Sequence, residues 1–221
     1  MAGKAKPELG IVLLAPPTKT KNTITAEIVL SSKAVANVAF ETKWNLAEGG
    51  YYDVEANDRD GDASFLQLKP SPNGASLESL PASFFTSTIL GVEGRFGSYG
   101  APLSPKVLLD KSGKGVRQLD YSFSALSPQS EFPRRITVAA LQPQSGGDIL
   151  MFVSGASEKR WTKSAVADEA YQQAQSFRVV STRPTALSRV SSSDYRFGKG
   201  SGPSTMKSRN DGPIYVDEDE E

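Results

Sequence analysis

The chain has 221 residues, with 25 Lys or Arg residues balanced by 25 Asp or Glu residues, and it contains neither Cys nor His. These absences exclude disulfides, zinc–thiolate sites, and Ser-His-Asp or Cys-His catalysis, so an enzyme would depend on carboxylates, Lys or Tyr. A folded part of about 150 residues buries roughly 70% of its unfolded surface. We therefore expect one domain with tails or, at most, two small domains.

Charge is concentrated at the two ends of the chain. Residues 1–22 and 181–210 are basic, whereas residues 211–221 are acidic. Tails with such bias bind a partner or stay solvated. We predict an N-terminal arm at residues 1–22, a domain at 23–180 and a tail at 181–221. The basic side chains of the arm are partner-binding candidates: Lys4, Lys6, Lys19 and Lys21.

The first part of the chain indicates short extended segments. The apolar run from Leu9 to Ala15 is much shorter than the roughly 20 residues that cross a bilayer, so we predict a strand or arm packed on its own domain, with a docking arm as the alternative. Alternating apolar residues predict strands at Thr23–Leu30 and Ala34–Phe40. No secretory or transit signal is recognisable.

An acidic stretch follows at Asp58, Asp60 and Asp62. In an EF-hand loop with Gly61 at its sixth position, Asp and Glu would be needed where Ala56 and Gln67 stand, so the signature fails. We predict a polar turn between the segments Tyr51–Glu55 and Ser64–Leu68, and no metal site, cofactor site or catalytic site. The three aspartates are the residues that would bind calcium if this turn did.

The next segment favours a helix. Ser76 can cap it, Pro81 would lie in its first turns, and an apolar stripe would be buried. The stripe consists of Leu77, Leu80, Phe84, Phe85 and Thr88. Glycines at 91, 94, 97 and 100 end the helix at a spacing that fits neither a dinucleotide-binding loop nor a P-loop. Gly113-Lys114-Gly115 predicts a hairpin turn.

The clearest strand pattern follows this turn. Apolar residues alternate with polar ones from Gln118 to Ala125 and again from Ile136 to Ala140, and Ile149–Val153 supplies a further strand, which together indicate an antiparallel sheet. A helical stripe then contains Val166, Ala170, Ala174 and Phe177, while Asp168, Glu169, Gln172 and Gln173 fall elsewhere. The predicted fold class is α+β, an antiparallel sheet with helices packed on it.

Residues 181–221 are rich in Ser, Gly, Pro and Arg and show no sustained periodicity, so we predict a disordered tail. Two clusters in it are partner-binding candidates: Tyr195-Arg196-Phe197 and Ile214-Tyr215-Val216. A basic cluster interleaved with aromatic residues can bind single-stranded nucleic acid, but the balanced charge of the chain argues against that partner. An apolar triplet beside acidic residues is typical of segments that add to a sheet edge or groove; a solvated tail without a ligand is the alternative.

Several motifs occur in an order that resembles the PsbP family of photosynthetic extrinsic proteins. They are Lys43-Trp44-Asn45, the segment Leu77–Leu90, the segment Arg117–Leu126, Ala156-Ser157-Glu158-Lys159-Arg160-Trp161, and Ser176-Phe177-Arg178-Val179. The resemblance extends from about Val35 to Val180. It implies an α-β-α sandwich and a mature protein of the thylakoid lumen that is peripheral to the membrane.

The resemblance also implies a non-catalytic function. The protein would dock on a photosynthetic complex, photosystem II on its oxygen-evolving side or else photosystem I, and stabilise it or help assemble it. Lys159 and Arg160 are candidates for this contact, beside a buried Trp161; the alternative is that both are simply solvated. The family's metal-binding histidine is missing here, which indicates a divergent member. The alternatives are a soluble regulator of the same fold that binds the GTPase Ran, and a lumenal enzyme that uses carboxylate or Tyr chemistry.

Overall fold

The computed structural model describes residues 9–47, 53–143 and 147–186. In chain order its strands are β1 (Thr18–Thr20), β2 (Thr23–Val29), β3 (Ala34–Glu41), β4 (Asn45–Leu46), β5 (Glu55–Asn57), β6 (Ala63–Pro70), β7 (Leu103–Gly113), β8 (Val116–Leu126), β9 (Glu131–Leu141), β10 (Asp148–Ser157) and β11 (Arg178–Pro184). The helices are α1 (Ala82–Ile89), α2 (Glu158–Trp161) and α3 (Ser164–Ser176), with 3-10 turns at Pro72–Gly74 and Leu77–Ser79. The fold class is thus α+β, as predicted.

The strands form two sheets whose paired neighbours are all antiparallel. The larger sheet has seven strands in the order β4-β5-β6-β10-β9-β8-β7, and the smaller one has four in the order β1-β2-β3-β11. The most apolar strand, β10, lies between β6 and β9 and is almost wholly buried. A strand covered on both faces reads as a continuous apolar run, which is how Ile149–Val153 differs from the alternating β8.

Both faces of the seven-stranded sheet are covered. On one face, Gln67 Nε2 donates a hydrogen bond to the carbonyl of Thr88 in α1, at 3.0 Å. On the other face, the Phe152 ring lies 4.7 Å from that of Phe40 in β3 and 5.5 Å from that of Phe177, which follows α3. The sheet therefore has the α1 segment on one side, and α3 with the smaller sheet on the other.

The predicted strands and hairpin are confirmed. β2, β3, β8, β9 and β10 occupy the predicted segments, and the polar turn precedes β6. The β7–β8 turn has positive φ at Lys114 (53°) and Gly115 (76°). Two successive positive φ values are typical of a type I′ turn, whose twist matches that of the flanking strands.

The start of the first helix was predicted too early. Leu77–Ser79 is a 3-10 turn, and α1 begins only at Ala82. Leu80 (ψ 134°) and Pro81 (ψ 153°) are both extended. The proline ring disfavours helical backbone at the residue before it, so the chain leaves the 3-10 turn and enters α1 after Pro81.

The two ends of the domain have different outcomes. Leu9 and Ile11, in the predicted N-terminal arm, are 2% and 0% exposed, so the described part of that arm packs on its own domain, as predicted. At the other end, β11 continues past Val180 to Pro184 and pairs with β3. Its outer half is polar and exposed, and it is held by backbone pairing, which leaves no periodic signal in the sequence.

Candidate functional site

Arg160 and the acidic turn between β5 and β6 form one cluster. Arg160 Nε donates to Asp62 Oδ2 at 2.8 Å, its Nη2 donates to Asp58 Oδ2 at 2.8 Å, and its Nη1 binds Asp60. Asp58 Oδ1 also accepts the backbone N–H groups of Asp60 and Asp62, each at 2.8 Å. We call these four residues the Arg160 cluster. It connects α2 to a turn about 100 residues earlier in the chain.

The members of the Arg160 cluster differ in burial. The Asp62 side chain is 2% exposed, whereas that of Asp60 is 61% exposed. Burial raises the pKa of Asp62 above its ordinary value, although its hydrogen bond to Arg160 opposes this shift. The same hydrogen bond raises the pKa of Arg160. The guanidinium thus supplies the positive charge that a carboxylate taken out of water requires.

The structure brings the calcium candidates and one of the partner-contact candidates together. The three aspartates named as calcium candidates all bind Arg160, which was named as a partner contact. Across residues 9–47, 53–143 and 147–186, no group of three or more acidic side chains is arranged to hold a metal ion. Arg160 is therefore a positioning residue for the turn, and Lys159 beside it is exposed.

Trp161, predicted to be buried, is half-buried. Its indole meets the Tyr171 ring edge to face at 5.6 Å, and Tyr171 Oη donates to Asp120 Oδ2 at 2.9 Å. Burial, together with this carboxylate, raises the pKa of Tyr171 to about 12. Asp120, one of the polar residues that alternate along β8, is 9% exposed because α2 and α3 cover that part of the sheet.

A buried polar contact beneath α3 escaped the sequence analysis. Ser154 Oγ donates to Gln173 Oε1 at 2.9 Å, and Gln173 Nε2 donates to Thr42 Oγ1 at 2.9 Å. Gln173 is fully buried although it was predicted on the polar side of the helix. The signal was its position three residues after buried Ala170, one helical turn along the same face.

The other predicted contact residues do not gather at one place. Lys19 Nζ donates to the carbonyl of Trp44, and Lys21 lies exposed in the β1–β2 turn with φ 56°. The remaining candidates lie outside the described residues: Lys4, Lys6, Tyr195, Arg196, Phe197, Ile214, Tyr215 and Val216.

Comparison with known proteins adds no family. The chain matches no protein-family model, and a search of curated proteins finds no match. Among the described residues, no helix combines the length and the apolar character that a membrane crossing requires.

Proposed function

We propose that this chain is a divergent PsbP-like protein of the thylakoid lumen, peripheral to the membrane. It docks without catalysis on a photosynthetic complex, with photosystem II the first candidate and photosystem I the second, and stabilises or helps assemble it. In support, the motif-bearing residues 148–180 form one continuous unit of β10, α2, α3 and the start of β11. This unit joins the two sheets, since β10 belongs to one and β11 to the other.

The position of the helices supports the α-β-α arrangement implied by this proposal. α1 lies over one face of the seven-stranded sheet, and α3 lies over the other. Both helices are connected to it by side-chain hydrogen bonds as well as by apolar contacts. Layers held in this way present a rigid surface to a partner, which keeps the entropic cost of docking low.

The observation that carries the proposal is a set of exposed cations around the Arg160 cluster, which are interspersed with the exposed carboxylates of Asp60 and Glu158. Arg59, Lys159 and Lys163 are exposed, and each lies within three residues of a member of the cluster. The ion pairs of Arg160 hold the acidic turn against α2, so the backbone that carries these three cations is fixed in position. Fixed cations at the rim of an interface accelerate association with an acidic partner and make it salt-sensitive.

The location and the partner are tested together by native separation of mildly solubilised thylakoids from the source cell. Each band is probed with an antibody to this chain, before and after a high-salt wash. We expect comigration with one photosystem and release by salt. Absence of the chain from thylakoids would overturn the proposal.

The contact surface is tested with the double variant Lys159→Glu/Lys163→Glu in the full chain. The matched control is Lys106→Glu/Lys111→Glu, which reverses two exposed charges on β7 at the far edge of the sheet. We expect rebinding to salt-washed thylakoids to fall by about tenfold for the double variant, because two rim charges change sign, and to change little for the control. Equal losses for both variants would place the contact elsewhere.

A further inference from the structure

A groove lies where β11 passes the ends of β8 and β9. It encloses about 480 Å³ and is lined by Lys114, Val116, Leu141, Gln142, Pro143, Phe177, Arg178, Val179, Ser181 and Thr182. Val116, Leu141 and Val179 are only half-buried, although each packs against the main core. The groove thus exposes an edge of the core that a further apolar segment would cover.

One wall of the groove is an unpaired strand edge. Within the described residues, β11 is the last strand of its sheet and pairs only with β3. A register shift between Val179 and Ser181 leaves Val180 57% exposed. Backbone N–H and C=O groups on the free side of such a strand accept an added strand readily.

The charge of the groove is one-sided. Lys114 and Arg178 line it, and none of its lining residues carries a carboxylate. Lys114 forms no ion pair with any residue described, and Arg178 makes a long, exposed one, with 4.0 Å between its Nη1 and Oε1 of Glu41. The groove thus combines an extended backbone edge, half-buried aliphatic side chains and two cations. These features fit a short strand with alternating apolar residues followed by acidic ones.

The chain itself carries such a segment at residues 212–221, which is Gly-Pro-Ile-Tyr-Val followed by Asp-Glu-Asp-Glu-Glu. In an extended strand Ile214 and Val216 point to the same side. We propose that this C-terminal segment adds to the free edge of β11, with Ile214 and Val216 in the groove and the acidic end against Lys114 and Arg178. The inference does not depend on the proposed thylakoid function.

The connection between β11 and the segment is long enough. Twenty-seven residues lie between Ala186 and Ile214, and a flexible linker of that length would have a root-mean-square span of about 30 Å. The groove lies alongside β11 itself, so the segment needs only to turn back. At such spans the effective concentration of the tethered segment is on the order of millimolar.

Other occupants and other edges fit less well. A second copy pairing through β11 would bring Arg178 and Arg183 to a groove that is already basic, since β11 has no acidic residue. At the edge of the larger sheet, β7 contains Pro105, which has no N–H, and two register shifts. Such features disfavour the pairing of a further strand with that edge.

The absence of cysteine from the chain permits a direct test by disulfide formation. Because Ile214 and Val216 would face the groove, Tyr215 would face away from it. Ser181 also lies on that outer side of β11, since it pairs with half-buried Asn37 whereas Thr182 pairs with the core residue Ala36. In the full chain, Ser181→Cys/Tyr215→Cys therefore places both thiols on the same side of the paired strands, so a single disulfide can form. Disulfides require Cα atoms within about 7 Å. We expect this pair to oxidise about tenfold faster than the control pair Lys106→Cys/Tyr215→Cys, because docking raises the local concentration of the thiol.

Tether geometry alone could favour Ser181 over Lys106, so a second comparison separates it from docking. Adding Ile214→Ser/Val216→Ser to the Ser181 pair should slow oxidation about tenfold, whereas Met206→Ser, an apolar change outside the segment, should leave the rate unchanged. Both changes lie outside the described domain. An equal rate in the two variants would overturn the proposal, as would a product that is a disulfide-linked dimer instead of a monomer.

Discussion

The ion pair between Asp110 and Arg117 fastens β7 and β8 to the α1 segment. Arg117 Nε donates to Asp110 Oδ1 at 2.8 Å and its Nη2 donates to Oδ2 at 2.7 Å. The same guanidinium binds the carbonyls of Leu77 and Leu80 and lies over the Phe85 ring at 4.9 Å. The Arg117 side chain is only 8% exposed, so the Asp110 carboxylate is needed to compensate its largely buried positive charge.

This pair predicts a specific acid sensitivity. The hydrogen bonds from Arg117 lower the pKa of Asp110 below its ordinary 3.8, so the ionised carboxylate stabilises the fold above the unfolded pKa. That contribution is lost as the pH falls through the folded pKa. We expect Asp110→Asn to cost about 2 kcal/mol at pH 7, because it leaves a buried cation unpaired, and to cost progressively less below about pH 4.

Urea unfolding between pH 7 and pH 3 checks this dependence. The matched control is Asp168→Asn, which removes an exposed carboxylate from α3 and should change the unfolding free energy by less than about 0.5 kcal/mol. A cost of Asp110→Asn that stays constant down to pH 3 would show that the ion pair is not its source.

The Arg160 cluster predicts an asymmetry between its partners. Burial raises the pKa of Asp62, so ionised Asp62 carries a net penalty in the fold, and Asp62→Asn should cost less than about 1 kcal/mol. Arg160→Met should destabilise more, since it leaves the buried carboxylate without its cation. Because protonation of Asp62 relieves that penalty, the loss should shrink as the pH falls from 7 through the raised pKa.

Urea midpoints of the two single variants and of Asp62→Asn/Arg160→Met test the asymmetry. The double variant should be more stable than Arg160→Met at pH 7, since it no longer buries an unpaired charge. If Asp62→Asn proves as damaging as Arg160→Met, the ion pair outweighs the desolvation of Asp62. Ionised Asp62 would then stabilise the fold, contrary to our prediction.

At the scale of the element, the buried amide of Gln173 is one of the contacts that hold α3 to the rest of the fold. Gln173 bridges Ser154 of β10 and Thr42, which follows β3. Gln173→Leu keeps the size of the side chain but leaves both hydroxyls without this partner. We expect a loss of about 2 kcal/mol in the free energy of unfolding. Gln172→Leu, at the exposed neighbouring position, should change it by less than about 0.5 kcal/mol. Equal effects would mean that water replaces the amide.

The elements that the sequence predicts are those whose signal is local. β8 alternates because one of its faces is apolar, and the Gly113–Gly115 turn follows from backbone conformations that glycine permits. The outer half of β11 was missed because its pairing with β3 spans more than 140 residues and uses the backbone. Similarly, the residues of the Arg160 cluster were recognised separately, but nothing local indicates that Arg160 meets aspartates about 100 residues away.

At the scale of the whole molecule, the two sheets share one core. The rings of Phe40, Phe152 and Phe177 connect β3 of the smaller sheet, β10 of the larger one and the end of α3. Strands from both ends of the described chain lie together in the smaller sheet, where β2 and β11 flank β3. The stability of that sheet should therefore depend on where the chain is cut after α3.

Two truncations test this dependence. Cutting after Val180 removes the pairing of Ser181–Pro184 with Ala34–Asn37 and the hydrogen bond from Thr185 N–H to the Lys33 carbonyl. We expect a loss of about 2 kcal/mol in the free energy of unfolding, since net backbone hydrogen bonds contribute about 0.5–1.5 kcal/mol each. Cutting after Ala186 keeps all of these contacts and should cost less than about 1 kcal/mol.

Urea unfolding of the full chain and both truncations decides where the domain ends. The full chain and the chain cut after Ala186 should have similar transitions, with the chain cut after Val180 unfolding at clearly lower urea. If both truncations unfold like the full chain, the outer half of β11 adds nothing to stability and the predicted boundary at Val180 is adequate. If the cut after Ala186 is as damaging as the cut after Val180, residues 187–221 are part of the folded domain. The docked C-terminal segment would then have to be counted as an integral strand of the smaller sheet, because β11 alone cannot account for such a loss.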